Sequence, residues 1–251
     1  MTVYFIGAGP GAADLITVRG QRLLQRCAVC LYAGSIMATD LLEFCPPGAR
    51  IVDTGPLTLD QIIDELAAAH AAGHDVARLH SGDPSIYSAV AEQRRRLGEL
   101  GIDSEIVPGV PAFAAAAAAL GRELTVPGVA QTVILTRVAT LSTAMPAGEG
   151  LATLASSGGT LVIHLAAHRI DAIVAELLAG RHRPDIPVAV VAFASWPQQI
   201  VLRGTLADIA AKVHEASVTR TAVIIVGDVL AAEGFTDSYL YSAERTRGIR
   251  H

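Results

Sequence analysis

The stretch Arg78-Leu79-His80-Ser81-Gly82-Asp83-Pro84-Ser85-Ile86-Tyr87 gathers residue types that could build a ligand site. The apolar run Asp75 to Leu79 stops at a Ser-Gly-Asp-Pro turn. A turn of this kind, at the carboxyl end of a strand, is where an open α/β sheet holds its ligand. Gly82 would admit a ligand to the backbone, Asp83 would offer a fixed carboxylate and a free amide, and Pro84 would stiffen the turn by locking φ. A second glycine turn, Gly7-Ala8-Gly9-Pro10-Gly11, follows the run Val3 to Ile6. It carries part of a dinucleotide fingerprint, but Pro10-Gly11 would interrupt the helix whose amides should meet a pyrophosphate. The run Val29 to Tyr32 ends in Ala33-Gly34-Ser35, with no acid where a ribose carboxylate should stand, so a nicotinamide cofactor is disfavoured.

Two further groupings suggest metals and do not support them. Cys27, Cys30 and Cys45 include a C-x-x-C, yet a strand-like run would aim residues three apart at opposite faces, so buried, inert thiols are expected. His70 and His74 have metal-pair spacing, but Gly73 intervenes and no Glu completes H-E-x-x-H, which leaves a solvated helix end and no metal site.

These loops need strands and helices to carry them. Strands are expected at Val3–Ile6, Val29–Tyr32, Ile51–Val52, Asp75–Leu79 and Asp103–Val107, with helices at Ile16–Arg26, Leu59–Ala72, Tyr87–Leu100 and Ala112–Leu120. The turn Pro108-Gly109-Val110-Pro111-Ala112 should open at the same sheet edge as Gly-Asp-Pro. A second α/β unit begins at Gln131. It has strands at Gln131–Arg137, Thr160–Leu165, Pro187–Phe193 and Ala222–Val226, an edge arm at Gln199–Leu202, and helices at Ile170–Leu178 and Ala207–Ala216. The expected domains are 1–121 and 131–251, joined by a linker over 122–130.

Half of the 251 residues are apolar but only 4% are aromatic, as in α/β layers with cores of Ala, Val, Leu and Ile. The longest small-apolar run, Val110 to Leu120, is far shorter than the roughly 20 residues of a membrane span. The amino terminus enters a strand without a basic segment, so a cytoplasmic location and no membrane association are expected. A net charge of −5 speaks against non-specific nucleic-acid binding.

Taken together, Gly7-Ala8-Gly9-Pro10-Gly11, Asp14-Leu15-Ile16-Thr17-Val18-Arg19, Ser81-Gly82-Asp83-Pro84, Val107-Pro108-Gly109-Val110, Thr160 to Leu165 and Thr219 to Gly227 resemble the tetrapyrrole methyltransferase family, in family order over nearly the whole chain. Tyr32-Ala33-Gly34-Ser35, Gly82 to Tyr87, Gly121 to Pro127, Gln131 to Arg137 and Ala194-Ser195-Trp196-Pro197 most resemble the branch that methylates precorrin-4 at C11 in cobalamin synthesis.

The resemblance implies two α/β domains with S-adenosyl-L-methionine folded in the cleft between them, a homodimer, and a precorrin in a trough over the first domain's loops. The cofactor residues it implies are Pro10, Ser81, Gly82, Asp83, Pro111, Ala112, Leu165, Ala192, Phe193, Ala194, Thr221 and Ala222. The family usually has Ser or Thr at Pro111, so a side-chain hydrogen bond is lost there; many relatives have Met at Leu165. Arg19, Arg122 and Arg137 are candidate clamps for substrate carboxylates, and Tyr87 is a further candidate for binding the substrate. Methyl transfer from a sulfonium needs alignment more than acid–base chemistry, so no triad is expected. A base for a ring proton is not singled out, with His164 and Tyr87 as candidates. Nothing in the residues reads ring metal, which leaves cobalt-precorrin-4 open as substrate. Another precorrin C-methyltransferase and, in a different class, a non-catalytic tetrapyrrole-binding module also remain.

Overall fold

A computed structural model describes residues 1–34, 37, 39–139, 144–180 and 182–237. Ser35, the last residue of the Tyr32 block, lies outside them. The chain divides into two compact units, Met1–Ala116 with Phe193–Gln199, and Ala117–Ala192 with Ile200–His251.

The first unit holds five strands: β1 (Thr2–Gly7), β2 (Val29–Tyr32), β3 (Arg50–Asp53), β4 (Val76–His80) and β5 (Asp103–Val107). They form one sheet in the order β3-β2-β4-β1-β5, every neighbouring pair parallel. All five carboxyl ends therefore lie along one edge, which is the edge expected to carry the glycine turns.

Alternation along the strands builds two cores. Tyr4, Ile6, Cys30, Ala77 and Leu79 pack with Leu23 and Leu24 of helix α1 (Val18–Leu24). Val3, Phe5, Leu31 and Val76 pack on the other face with Ile62, Ile63 and Leu66 of α2 (Leu59–Ala71) and with Val90 and Leu97 of α3 (Val90–Glu99). Thr58 and Gln61 close α2 with a reciprocal capping box.

The expected helix from Tyr87 begins three residues later. Tyr87 and Ala89 hold φ of 53° and 52°, a left-handed backbone that cannot propagate a right-handed helix. The thiol expectation also changes in detail. Cys27 precedes β2 instead of lying in it, and so joins Cys30 in the same core beside half-buried Cys45. Burial, with Asp75 adding to it, pushes the Cys27 thiol up to about 12. Among the described residues no His, Cys, Asp or Glu cluster could hold a metal ion.

The second unit contains β6 (Val133–Arg137), β7 (Thr160–His164), β8 (Pro187–Ala192), β9 (Ile200–Thr205) and β10 (Ala222–Val226). Its sheet runs β6-β7-β10-β8-β9. Only β6 and β7 are parallel; β7–β10, β10–β8 and β8–β9 are antiparallel. The first sheet is thus wholly parallel, while the second is mixed. Helices α4 (Ala112–Leu120), α5 (Leu151–Ala155), α6 (Ile170–Ala179) and α7 (Ile209–Glu215) complete the set.

Candidate functional site

Three strand ends of the first sheet meet through glycine backbone. A Cβ added to Gly109 would lie 2.2 Å from the Gly82 carbonyl oxygen and 2.7 Å from Gly7 Cα, while one on Gly7 would lie 2.5 Å from Gly109 Cα. No side chain fits at either position, which is why the β1, β4 and β5 loops can touch. Gly9 and Gly82 exchange backbone hydrogen bonds, Gly82 N to Gly9 O at 2.8 Å and Gly9 N to Gly82 O at 3.2 Å. Gly82 holds φ at +68°, a conformation that L side chains rarely adopt. A Cβ there would approach Ala112 N and Pro111 Cα at 3.6 Å and Val110 O at 3.9 Å, all ordinary contacts, so backbone conformation constrains this position more than crowding does.

The Asp83 carboxylate is fixed, as expected, but by the protein's own groups. One carboxylate oxygen accepts from Gly109 N at 2.8 Å, and the other accepts from Ser85 N at 2.8 Å and from the Ser85 hydroxyl. Partial burial pushes its pKa up, but these hydrogen bonds outweigh it and leave the carboxyl below its ordinary value. The Asp83 side chain thus ties the β4 turn to the β5 turn and holds the glycine contact in register.

The segment Phe193–Gln199, part of the first unit, fastens the β1 turn. Trp196 donates from Nε1 to Pro10 O at 2.9 Å, and Ala12 N donates to Ser195 Oγ at 3.0 Å. The indole lies so close over Gly11 that a Cβ there would be 2.0 Å from Trp196 Cδ1. Phe193 and Ser195 both have positive φ, at 51° and 69°. Non-glycine residues held in this region cost free energy and tend to mark functional segments. Trp196 is the only tryptophan of the chain. The resemblance implies a cofactor beside Pro10; on that expectation, titration with S-adenosyl-L-methionine should give a saturable change in tryptophan emission, and unchanged emission under saturating cofactor would contradict it.

In the second sheet, Ala192 pairs with Ala222 across β8 and β10. Continuing the β7–β10 register by two residues sets Leu165 opposite Ala222. Leu165, Ala192, Thr221 and Ala222 therefore share one end of that sheet. Leu165 has φ 58° and is 60% exposed, and Thr221 has φ 52°. An exposed leucine and a threonine, both held left-handed, mark this sheet end as a shaped surface.

The candidate substrate residues divide between the two units. Arg19 is exposed on α1 and Tyr87 is 45% exposed in the β4–α3 loop. Arg122 donates to Ala232 O at 3.0 Å, and Arg137 donates to Val138 O at 3.1 Å, so both guanidinium groups hold local backbone. His164 is buried at the end of β7, and that burial lowers its pKa. Sequence reasoning overlooked Ser195 and Trp196 as fasteners of the β1 turn, and Arg78 and His80 as a buried polar pair. The signal for the pair was present: two polar residues on one face of the run Val76-Ala77-Arg78-Leu79-His80.

His80 carries a pH dependence. Burial, with Arg78 nearby, pushes its pKa down to about 3, against a partial opposing hydrogen bond to Ser88 backbone. The unfolded chain, near the ordinary 6.5, then binds more protons between those values. Stability contributed by neutral His80 is complete above about pH 6.5 and is lost as the pH falls toward 3, with a maximal slope of about 1.4 kcal/mol per pH unit. Denaturant titrations between pH 7 and 4.5 should show this fall, and His80→Asn should flatten it.

A family model described as Tetrapyrrole (Corrin/Porphyrin) Methylases matches residues 2–210. The precorrin-4 C(11)-methyltransferase of Mycobacterium tuberculosis is 78% identical over 245 residues, covering 98% of this chain and 98% of that protein. The crystal structure of a cobalt precorrin-4 methyltransferase matches with a TM-score of 0.89 at 38% identity, covering 91% of this chain and 95% of the other. A uroporphyrin-III C-methyltransferase from Thermus thermophilus, solved in complex with S-adenosyl homocysteine, matches with a TM-score of 0.77 at 28% identity, covering 92% and 93% of the two chains. The fold is thus that of the two-sheet α/β methylases. The chain belongs to the tetrapyrrole methylase family.

Proposed function

We propose that the protein transfers one methyl group from S-adenosyl-L-methionine to C11 of precorrin-4, giving precorrin-5 and S-adenosylhomocysteine, in cobalamin biosynthesis. The observation that carries this reading is the 78% identity, over nearly the full length of both chains, with a relative named for that reaction.

The residues fit such a cofactor. Around Pro10, Ser81, Gly82, Pro111 and Ala112 the first unit offers backbone groups and small side chains at the carboxyl edge of its sheet. In this reading Ala194 and Phe193 add to that lining, and Leu165, Ala192, Thr221 and Ala222 are the second unit's contribution. Asp83 takes a positioning part, since its carboxylate is engaged by Gly109 and Ser85.

Bound S-adenosyl-L-methionine supplies an electrophilic methyl on sulfur, which leaves as a neutral thioether. The protein's task is to present a nucleophilic ring carbon in line with that methyl, and such pre-orientation can supply on the order of 7–11 kcal/mol. The glycine edge, fixed by Asp83 and by the Trp196 contact, provides a rigid floor for this alignment. Tyr87 and Arg19 in the first unit, and Arg122 and Arg137 in the second, are the candidates for holding the acceptor and its carboxylates. Should a ring proton need a base, neutral His164 and Tyr87 are the candidates.

The homodimer is part of the same proposal, and sedimentation at micromolar concentration should show twice the chain mass. No helix among the described residues is long and apolar enough to cross a membrane, and a cytoplasmic location is proposed. Assays for S-adenosylhomocysteine release should show turnover with precorrin-4 and markedly less with uroporphyrinogen III. Faster turnover with cobalt-precorrin-4 would move the assignment to the metal-containing substrate. Binding of tetrapyrrole without methyl transfer would establish the non-catalytic alternative.

A further inference from the structure

Arg78 sits mid-sheet on β4 and is only 6% exposed. A guanidinium removed from water usually meets a carboxylate, because burying an uncompensated charge is costly. Here, among the described residues, it meets none. Its Nη1 donates to Thr54 Oγ1 at 2.9 Å, and its Nε donates to Gln93 Oε1 at 3.3 Å. A hydrophobic residue on this face, which carries Val3, Phe5, Leu31 and Val76, would serve packing at less cost.

Both partners pass the contact on to loops. Thr54 Oγ1 donates to Tyr32 O at 2.9 Å, and Thr54 N donates to the same oxygen at 2.7 Å. Gln93 Nε2 donates to Ala89 O at 3.0 Å. A continuous polar chain therefore runs from the carbonyl at the end of β2, through Thr54, Arg78 and Gln93, to the carbonyl that closes the β4–α3 loop. That second loop is the one with Tyr87 and Ala89 in left-handed conformations. Each costs roughly 1–2 kcal/mol and needs support from its surroundings. Within the same loop, Ser88 Oγ donates to Asp83 O and Ile86 O, at 3.1 Å each. The α3 amino terminus itself has no side-chain cap, so its position rests on what the neighbouring loop and the Gln93 contact hold in place.

We propose that Arg78 is a positioning residue for the methyl acceptor: through Thr54 and Gln93 it sets the β2 end and the Tyr87–Ala89 segment against each other, and so sets the orientation of the bound tetrapyrrole. The inference rests on the reading that the acceptor is a tetrapyrrole lying over the loops of this unit. Arg78 touches neither reactant. A bidentate, permanently charged fork can bridge two neutral acceptors on different elements, which a lysine or a neutral side chain does not reproduce.

The test is steady-state kinetics with cofactor titration for wild type, Arg78→Met, Gln93→Met and the double variant. Each single variant is expected to lower kcat/KM for the tetrapyrrole by about 10–100-fold, as small misplacements of a reacting centre do. The cofactor Kd should stay within about threefold, a shift of under about 0.7 kcal/mol. The double variant should be no worse than the poorer single one, because both break one chain. Thr54→Val, which is near-isosteric, breaks the other arm and should give the same split, so it decides the matter if Arg78→Met fails to fold. Wild-type kcat/KM in a folded Arg78→Met or Thr54→Val variant overturns the proposal, as does a parallel loss of cofactor affinity. Assaying the wild type first with precorrin-4 and uroporphyrinogen III separates the two levels. No turnover of either overturns the functional reading and this proposal with it, whereas turnover indifferent to Arg78 overturns the proposal alone.

Discussion

Gly109→Ala is expected to weaken S-adenosyl-L-methionine binding by about a hundredfold or more, some 2.8 kcal/mol, and to lower the melting temperature. The added Cβ would stand 2.2 Å from the Gly82 carbonyl oxygen, with Gly7 Cα at 2.7 Å, so both neighbours are backbone and neither can rotate away. The β5 turn would have to back off from β1 and β4. That breaks the Gly109 N to Asp83 hydrogen bond of 2.8 Å and releases the carboxylate that holds the Gly-Asp-Pro turn. Two controls separate this from a general intolerance of alanine or of changes at the turn. Gly98, inside α3, has nothing within 4 Å of an added Cβ, and Gly98→Ala should stabilise by about 0.5–1 kcal/mol without touching binding. Pro111→Ala, in the turn itself, should keep cofactor affinity within about threefold, because that residue contributes no side-chain hydrogen bond. Calorimetric titration and thermal melts of the three variants check the set, and normal binding by Gly109→Ala would remove the glycine edge from the cofactor site.

The second large effect is expected at Gly11. A Cβ at this position would overlap the Trp196 indole, 2.0 Å from Cδ1 and 2.2 Å from Nε1. Gly11→Ala must therefore expel the ring, which costs the hydrogen bond to Pro10 O and frees the β1 turn. A loss of cofactor affinity of about 10–100-fold, or 1.4–2.8 kcal/mol, is expected, with a red-shifted tryptophan emission as the indole becomes solvated. Trp196→Ala should be comparably weak, and adding Gly11→Ala to it should cost little more, since the clash is already gone. Additive losses in the double variant would mean that Gly11 acts through something other than the indole.

Much of the frame was legible in the chain. Val29–Tyr32, Asp103–Val107, Ala112–Leu120 and Ala222–Val226 lie where apolar runs and glycine or proline stops place them. The edge arm after Gln199 is β9, antiparallel to β8 at the margin of its sheet. The common edge for the glycine turns also followed, because parallel strands can end only together.

What escaped has physical reasons. Left-handed Tyr87 and Ala89 are not glycines, so helical periodicity ran through them as though they were helix. The antiparallel direction of β10 is a matter of connection, which burial patterns in a fully apolar strand do not record. Trp196 meets Pro10 across 186 positions of sequence, and no local pattern carries that pairing. Asp83 could be singled out from its Gly-Asp-Pro setting, but whether its carboxylate faces a ligand or a neighbouring backbone amide depends on Gly109, which only the folded sheet brings near.

The reaction itself is tested most directly by incubating the protein with precorrin-4 and S-adenosyl-L-methionine labelled with ¹³C in the methyl group, then locating the label by NMR. A single labelled methyl on C11, with one equivalent of S-adenosylhomocysteine, is the predicted result. Label on a different ring carbon, or transfer only to an earlier tetrapyrrole of the series, would contradict the assignment of this chain to C11 of precorrin-4.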